Sequence, residues 1–224
     1  MTPSPNDPQG AATLSSRTPG AGERLLERAD TLAAGARPTD ALAVYRELLA
    51  AEPEQVEARL HLARLLLRLD EREAAVAVLS DALRLLPDQT EFLVLRGGIY
   101  GQLQRYGEAD ADLRRVLRLH PSHAPAHLEL GRLLWRRGLV AEAATHLQRS
   151  LEFQPNNART CYYLGDALNQ AGDLAGARTA LERAVQLDPR DAKAYHLLGR
   201  VLDRLGDPDE AREMYQRSRE LAGG

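Results

Sequence analysis

Five prolines, Pro53, Pro87, Pro121, Pro155 and Pro189, stand 34 residues apart without a slip. A strict period of this length constrains the fold more than any composition could. Each period must be one supersecondary unit that buries its apolar face only against its neighbours. Alignment on the prolines gives six units: 22–55, 56–89, 90–123, 124–157, 158–191 and 192–224. The eighth position is always small (Ala29, Ala63, Gly97, Gly131, Gly165, Gly199) and the twentieth is always alanine (Ala41, Ala75, Ala109, Ala143, Ala177, Ala211). The twenty-fourth is large: Tyr45, Leu79, Leu113, Leu147, Leu181 and Tyr215.

Each unit reads as two helices joined by a tight turn. The first carries apolar residues at the 3-and-4 spacing of one helical face, as in Cys161, Leu164 and Leu168. Gly138, Gly172 and Gly206 mark the turn, where glycine takes the left-handed conformation that ends a helix. The second helix stops before the proline, which cannot continue it. Small residues at the eighth and twentieth positions are expected where the two helices cross, because a larger side chain would hold the backbones apart. The second unit carries Asp70 and no turn glycine, which predicts a longer turn there. Hydrophobic residues make up 44% of the chain but aromatics only 4%, and an Ala- and Leu-rich core favours packed helices over strands.

The pattern resembles the tetratricopeptide repeat family, whose Leu-Gly, Ala, large-residue and Pro positions recur in Leu164-Gly165, Leu168, Ala177, Leu181 and Pro189. Leu198-Gly199, Leu202, Ala211 and Tyr215 repeat them. The resemblance covers residues 22–224 and implies an all-α fold, a right-handed α-solenoid of antiparallel helix pairs. Arg28-Ala29 replaces Leu-Gly in the first unit, which fits a terminal repeat. The last unit has Arg219 where the others have Leu or Val, and with Arg212, Gln216 and Glu220 it offers the polar end face that closes such an array. Residues 1–21, with Pro3, Pro5, Pro8 and Pro19 among Ser, Thr and Gly, are expected to form a disordered tail.

Several function classes lose support. A net charge of −3 argues against a nucleic-acid binder. One cysteine, Cys161, rules out an internal disulfide or a cysteine-rich metal site, and it falls in a packing column, so an inert buried thiol is expected. His123 and His127 have the i, i+4 spacing of metal ligands, but with His120 they lie at the inter-repeat turn, where capping and packing roles are expected. No phosphate-binding loop, dinucleotide fingerprint or nucleophile elbow occurs, so neither a cofactor nor a catalytic site is expected. No apolar run is long enough to span a bilayer, and the start lacks a basic and then apolar leader. The expectation is a cytoplasmic protein, and the Arg, Ala and Leu richness suggests a bacterial one.

The resemblance implies a concave wall built from positions 2, 5, 6, 9, 12 and 13 of each unit. There Leu60, Leu67, Val94, Leu128, Trp135 and Tyr162 would form an apolar strip. Gly98 and Gly101 have no crossing to explain them: either they leave a recess beside Trp135 for a bulky partner side chain, or they are tolerated flaws. Arg64, Arg132, Arg136, Arg159 and Arg200 are inner-wall arginines: either they orient a partner, or such charges are an ordinary solvated face paired within helices, as Glu129 with Arg132 or Arg200 with Asp203. The wall would run from acidic (Glu23, Glu27, Asp30) through apolar to basic. Some family members grip a terminal carboxylate with Lys and Asn at positions 5 and 9, whereas this chain has Leu60/Arg64, Val94/Gly98, Leu128/Arg132 and Tyr162/Asp166, so that clamp is absent. The expected function is a non-enzymatic scaffold holding a peptide segment or partner subunit in the groove. A structural subunit working through its convex or end surfaces, or an accessory to a separately encoded enzyme, is the alternative.

Overall fold

The computed structural model describes residues 20–35 and 37–223. Among these there are twelve helices and no strand: α1 (Ala21–Ala34), α2 (Pro38–Ala51), α3 (Val56–Arg68), α4 (Arg72–Leu85), α5 (Thr90–Gln102), α6 (Tyr106–Leu119), α7 (Ala124–Arg136), α8 (Val140–Phe153), α9 (Ala158–Ala171), α10 (Leu174–Leu187), α11 (Ala192–Leu205) and α12 (Pro208–Ala222). Ala21 opens α1, so the helical region begins one residue inside the expected tail; the rest of that tail lies outside the described residues. The chain divides into two compact units, Met1–Ala58 and Arg59–Gly224.

In the first unit α1 packs on α2. Ala29 and Ala41 are fully buried, and Tyr45 donates its hydroxyl hydrogen to Asp30. Pro38 sits in the first turn of α2, where its missing N–H costs nothing.

In the second unit α5 packs on α6, α7 on α8, α9 on α10 and α11 on α12, and each even helix from α4 to α10 packs on the next odd one. Odd helices also touch one another, α5 with α7 and α7 with α9. The eighth-position glycines set the closeness of the pairs. A Cβ on Gly131 would lie 2.7 Å from Leu147 Cγ and 3.2 Å from the Ala143 carbonyl; on Gly165 it would lie 2.5 Å from Leu181 Cγ. The tightest obstacle at the crossing is therefore the large twenty-fourth-position side chain, with the alanine backbone next.

The turn at Asp70 leaves three residues between its helices, as do those at Gln104 and Gly138, and one more than those at Gly172 and Gly206, so the longer turn expected at Asp70 is not peculiar to it. Gly138, Gly172 and Gly206 are left-handed, and Asp70 (φ 64°) and Gln104 (φ 60°) take the same conformation. In each, the N–H of the residue after the left-handed one returns to the carbonyl five residues back, as Glu71 to Leu66 (2.9 Å) and Asp173 to Leu168 (3.0 Å). This Schellman closure dictates the turn whichever residue occupies it. Side chains cap the starts of α7, α9, α10 and α11: His123 accepts from the Ala126 N–H (3.1 Å), Asn157 from Thr160 (3.0 Å), Asp173 from Gly176 (2.9 Å) and Asp191 from Lys193 (2.9 Å).

Candidate functional site

A recess of about 500 Å³ opens across the exposed faces of α3, α5, α7 and α9. It unites six of the residues singled out from the sequence: Arg64, Leu67, Val94, Gly98, Arg132 and Arg159. The rest of its lining comes chiefly from wall positions 2, 6 and 13, as Glu91, Leu95, Gln102, Pro125 and Glu129. Those positions lie within the wall frame, but their mixed Glu, Leu, Gln and Pro side chains carry no single chemical signal in the sequence. Ile99 and His123 also line it, from outside that frame.

The other seven expected residues lie elsewhere. Leu60 and Leu128 are buried, so the apolar strip is interrupted and neither offers surface to a partner. Gly101 is buried too; a Cβ there would meet only Leu133 Cδ1 at an ordinary 3.6 Å, and Gly101 opens no recess. Its carbonyl instead accepts from Arg136 Nη1 (3.0 Å), so Arg136 closes the end of α5 and does not face the recess. One device is used twice: Arg204 donates to the Asn169 carbonyl (2.8 Å) at the end of α9. Trp135 is half-buried, edge-on to Tyr163 at 5.6 Å, and its indole N–H is buried without a partner. Tyr162 packs edge-on to Tyr163, and burial, then Asp166, pushes its phenol above the ordinary value. Arg200 is exposed and outside the recess. The recess therefore sits at Gly98, away from Trp135.

The floor of the recess is ionic. A Cβ on Gly98 would stand 3.1 Å from Glu129 Oε2, so the missing side chain makes room for Glu129. Glu129 accepts from Arg132 Nη1 (2.8 and 2.6 Å) and lies 3.5 Å from Arg159. Arg132, only 7% exposed, also lies over the Tyr163 ring at 4.9 Å, and its Nε has no partner. Burial opposes its charge, but Glu129 and then Tyr163 outweigh it and raise its pKa. Arg132 is thus engaged within α7, as the intrahelical pairing with Glu129 has it, and does not stand free to orient a partner. The open charges of the recess are Arg64 and Glu91, both exposed, and the outer side of Arg159.

The histidines of the inter-repeat turn are structural in this arrangement. His123 caps α7, while His127 sits between the Pro121 carbonyl (Nε2, 2.9 Å) and His146 (Nδ1 to Nδ1, 3.0 Å). Its Nε2 must carry a hydrogen to meet a carbonyl, so in the neutral pair His146 donates across the Nδ1 contact. Burial, then His127, lowers the His146 pKa. No group of three His, Cys, Asp or Glu among the described residues could hold a metal ion. Cys161 is buried and its thiol is pushed up by that burial, the opposite of a nucleophile's shift. No described helix is long and apolar enough to cross a membrane.

Models described as tetratricopeptide repeat match residues 32–97, 95–158 and 156–223. No curated protein matches the sequence. Among solved structures, MamA 41-end from Desulfovibrio magneticus RS-1 is 28% identical, covering 72% of this chain and 92% of its own, with a TM-score of 0.63. PilW, a widely conserved type IV pilus biogenesis factor, is 23% identical, covering 88% and 91%, with a TM-score of 0.77. YrrB, a TPR protein with an unusual peptide-binding site, is 22% identical, covering 79% and 91%, with a TM-score of 0.58. The last two likenesses bear on the fold alone.

Proposed function

The chain belongs to the tetratricopeptide repeat family, and from that premise we propose that it is a non-enzymatic scaffold holding a peptide or a partner-subunit segment in the recess at Gly98. The observation that carries this reading is the recess itself. It is open, about 500 Å³ in volume, floored by an internally paired Glu129–Arg132 and walled by Leu67 and Val94. Its walls are apolar enough to hold side chains, and its rim leaves charged groups unspent for orientation. YrrB, with its peptide-binding site, makes peptide capture a natural use of this fold.

The test is affinity capture of partners from the source cells by the wild-type protein and by Gly98→Leu, with bound proteins identified by mass spectrometry. A leucine suits a helix better than glycine and fills the recess, but it must push the Glu129 carboxylate aside, so circular dichroism and a melting curve must first show that the variant keeps its fold. A partner lost only from Gly98→Leu supports the reading, whereas partners retained equally by both defeat it.

One observation favours assembly through another face. Leu85, Leu119 and Phe153 each end an even-numbered helix, 34 residues apart, and are 44–46% exposed. Substitution of all three by Ser would abolish partner binding on that reading and leave it intact on the recess reading.

A further inference from the structure

The second position of the six units reads Glu23, Glu57, Glu91, Pro125, Arg159 and Lys193. This column changes sign once, and the change falls on the recess: Glu91, Pro125 and Arg159 all line it. Glu91 lies in the first turn of α5, where a carboxylate suits the positive end of a helix. Arg159 and Lys193 lie in the first turns of α9 and α11, which contain no acidic residue. A cation there opposes the helix dipole: at α9, capped by the neutral Asn157, Arg159 reinforces a positive potential, whereas at α11 the capping Asp191 carboxylate offsets it. Arg159 keeps half its surface open with one loose contact to Glu129, while Lys193 is exposed and makes no ion pair among the described residues.

We infer that the recess takes a bipolar peptide segment, with a basic side chain against Glu91, apolar side chains over Val94, Leu95 and Pro125, and an acidic side chain against Arg159. This rests on the recess being the binding site. The spacing is compatible: α5, α7 and α9 pack in succession, and two interaxial steps of roughly 8–10 Å are spanned by about five or six extended residues. The other two guanidinium groups do not contradict it. Arg132 is neutralised by Glu129. Arg64 is the ninth residue of its unit, seven positions further along the helix than the second-position column, or roughly 10 Å at the usual rise. That is about one Debye length from a ligand charge held at the column.

The probes are three eight-residue peptides with blocked termini and a common four-residue Leu/Ala centre: one flanked by two lysines and two glutamates, one by lysines at both ends and one by glutamates at both ends. Fluorescence anisotropy at about 0.1 M salt should rank the bipolar peptide roughly threefold to tenfold tighter than either other, with the difference fading at about 1 M salt. Glu91→Lys should move the preference to the all-glutamate peptide. Arg159→Glu should move it to the all-lysine peptide. Equal affinities for the three, an unchanged ranking in both variants, or no measurable binding overturns the inference. Gly98→Leu separates this from the site itself. A charge-dependent ranking that survives Gly98→Leu unchanged places the peptide outside the recess and defeats the recess reading along with the inference. Binding lost in Gly98→Leu but indifferent to charge keeps the recess and defeats only the bipolar partner.

Discussion

The helix pairs α5/α6 and α9/α10 share one backbone plan and fill it with opposite chemistry. At the seventh and twenty-third positions α9/α10 has Leu164 and Ala180, where α5/α6 has Arg96 and Asp112. Arg96 donates through Nε and Nη2 to both Asp112 oxygens (2.8 Å each) and through Nη1 to Ser80 Oγ on α4 (3.0 Å). The α7/α8 pair is intermediate, with Leu130 opposite His146. The eighth-position glycine abuts a leucine in all three. Register is therefore set by the small–large contact, and the neighbouring pair is free to be apolar or ionic provided every polar group is satisfied.

The sharpest way to break this comparison is Asp112→Ala, which strands a mostly buried guanidinium. Chemical denaturation should show a loss of about 3 kcal/mol. The double change Arg96→Leu with Asp112→Ala, which copies α9/α10, should restore most of that loss. If the double variant stays as unstable as the single one, the two pairs are not interchangeable solutions.

Next in size, Gly165→Ala should cost about 1–3 kcal/mol, because its Cβ would fall 2.5 Å from Leu181 Cγ. Gly101→Ala should instead gain about 0.5–1 kcal/mol, since its Cβ meets nothing closer than 3.6 Å. Equal effects of the two on the melting temperature would show that the eighth position is not special.

Acid should act on α7/α8 before the other pairs. His146 has its folded pKa lowered, by burial and then by His127, so the unfolded chain takes up that proton first. Its contribution is fully present above the unfolded value of about 6.5 and falls as pH drops below it. His146→Ala should flatten the dependence of stability on pH between 7 and 5; His123, whose pKa burial also lowers, leaves a residual slope. The smallest effect is expected at the turns. Asp70→Gly or Gln104→Gly should change stability by no more than about 1 kcal/mol, towards the stable side, because both residues now hold a left-handed backbone.

Much of the fold was legible because a repeat states its contacts several times over. The columns at Gly131, Ala143 and Leu147 named the crossing helices, and Gly138, Gly172 and Gly206 named the turns. Asp70 misled, because a left-handed residue is set by the closure of its helix and need not be glycine. The candidate site was half legible. The wall frame located Arg64, Leu67, Val94, Gly98, Arg132 and Arg159, but one column cannot show which residues are covered by the neighbouring helices. Leu60 and Leu128 look like surface in a frame and are interior in three dimensions.

The sequence by itself determined the family, the helix pairs and their register, because periodic small and large side chains admit one close packing. Only the tertiary structure decided which wall residues remain open. Exposure depends on neighbours 30 or more residues away, as where Arg136 reaches the Gly101 carbonyl. Glu129 pairs with Arg132 inside one helix, which the i, i+3 spacing already offers, but only the packing of α9 on α7 brings Arg159 to the same carboxylate. No single column records those partnerships, since each joins residues from different positions of the repeat.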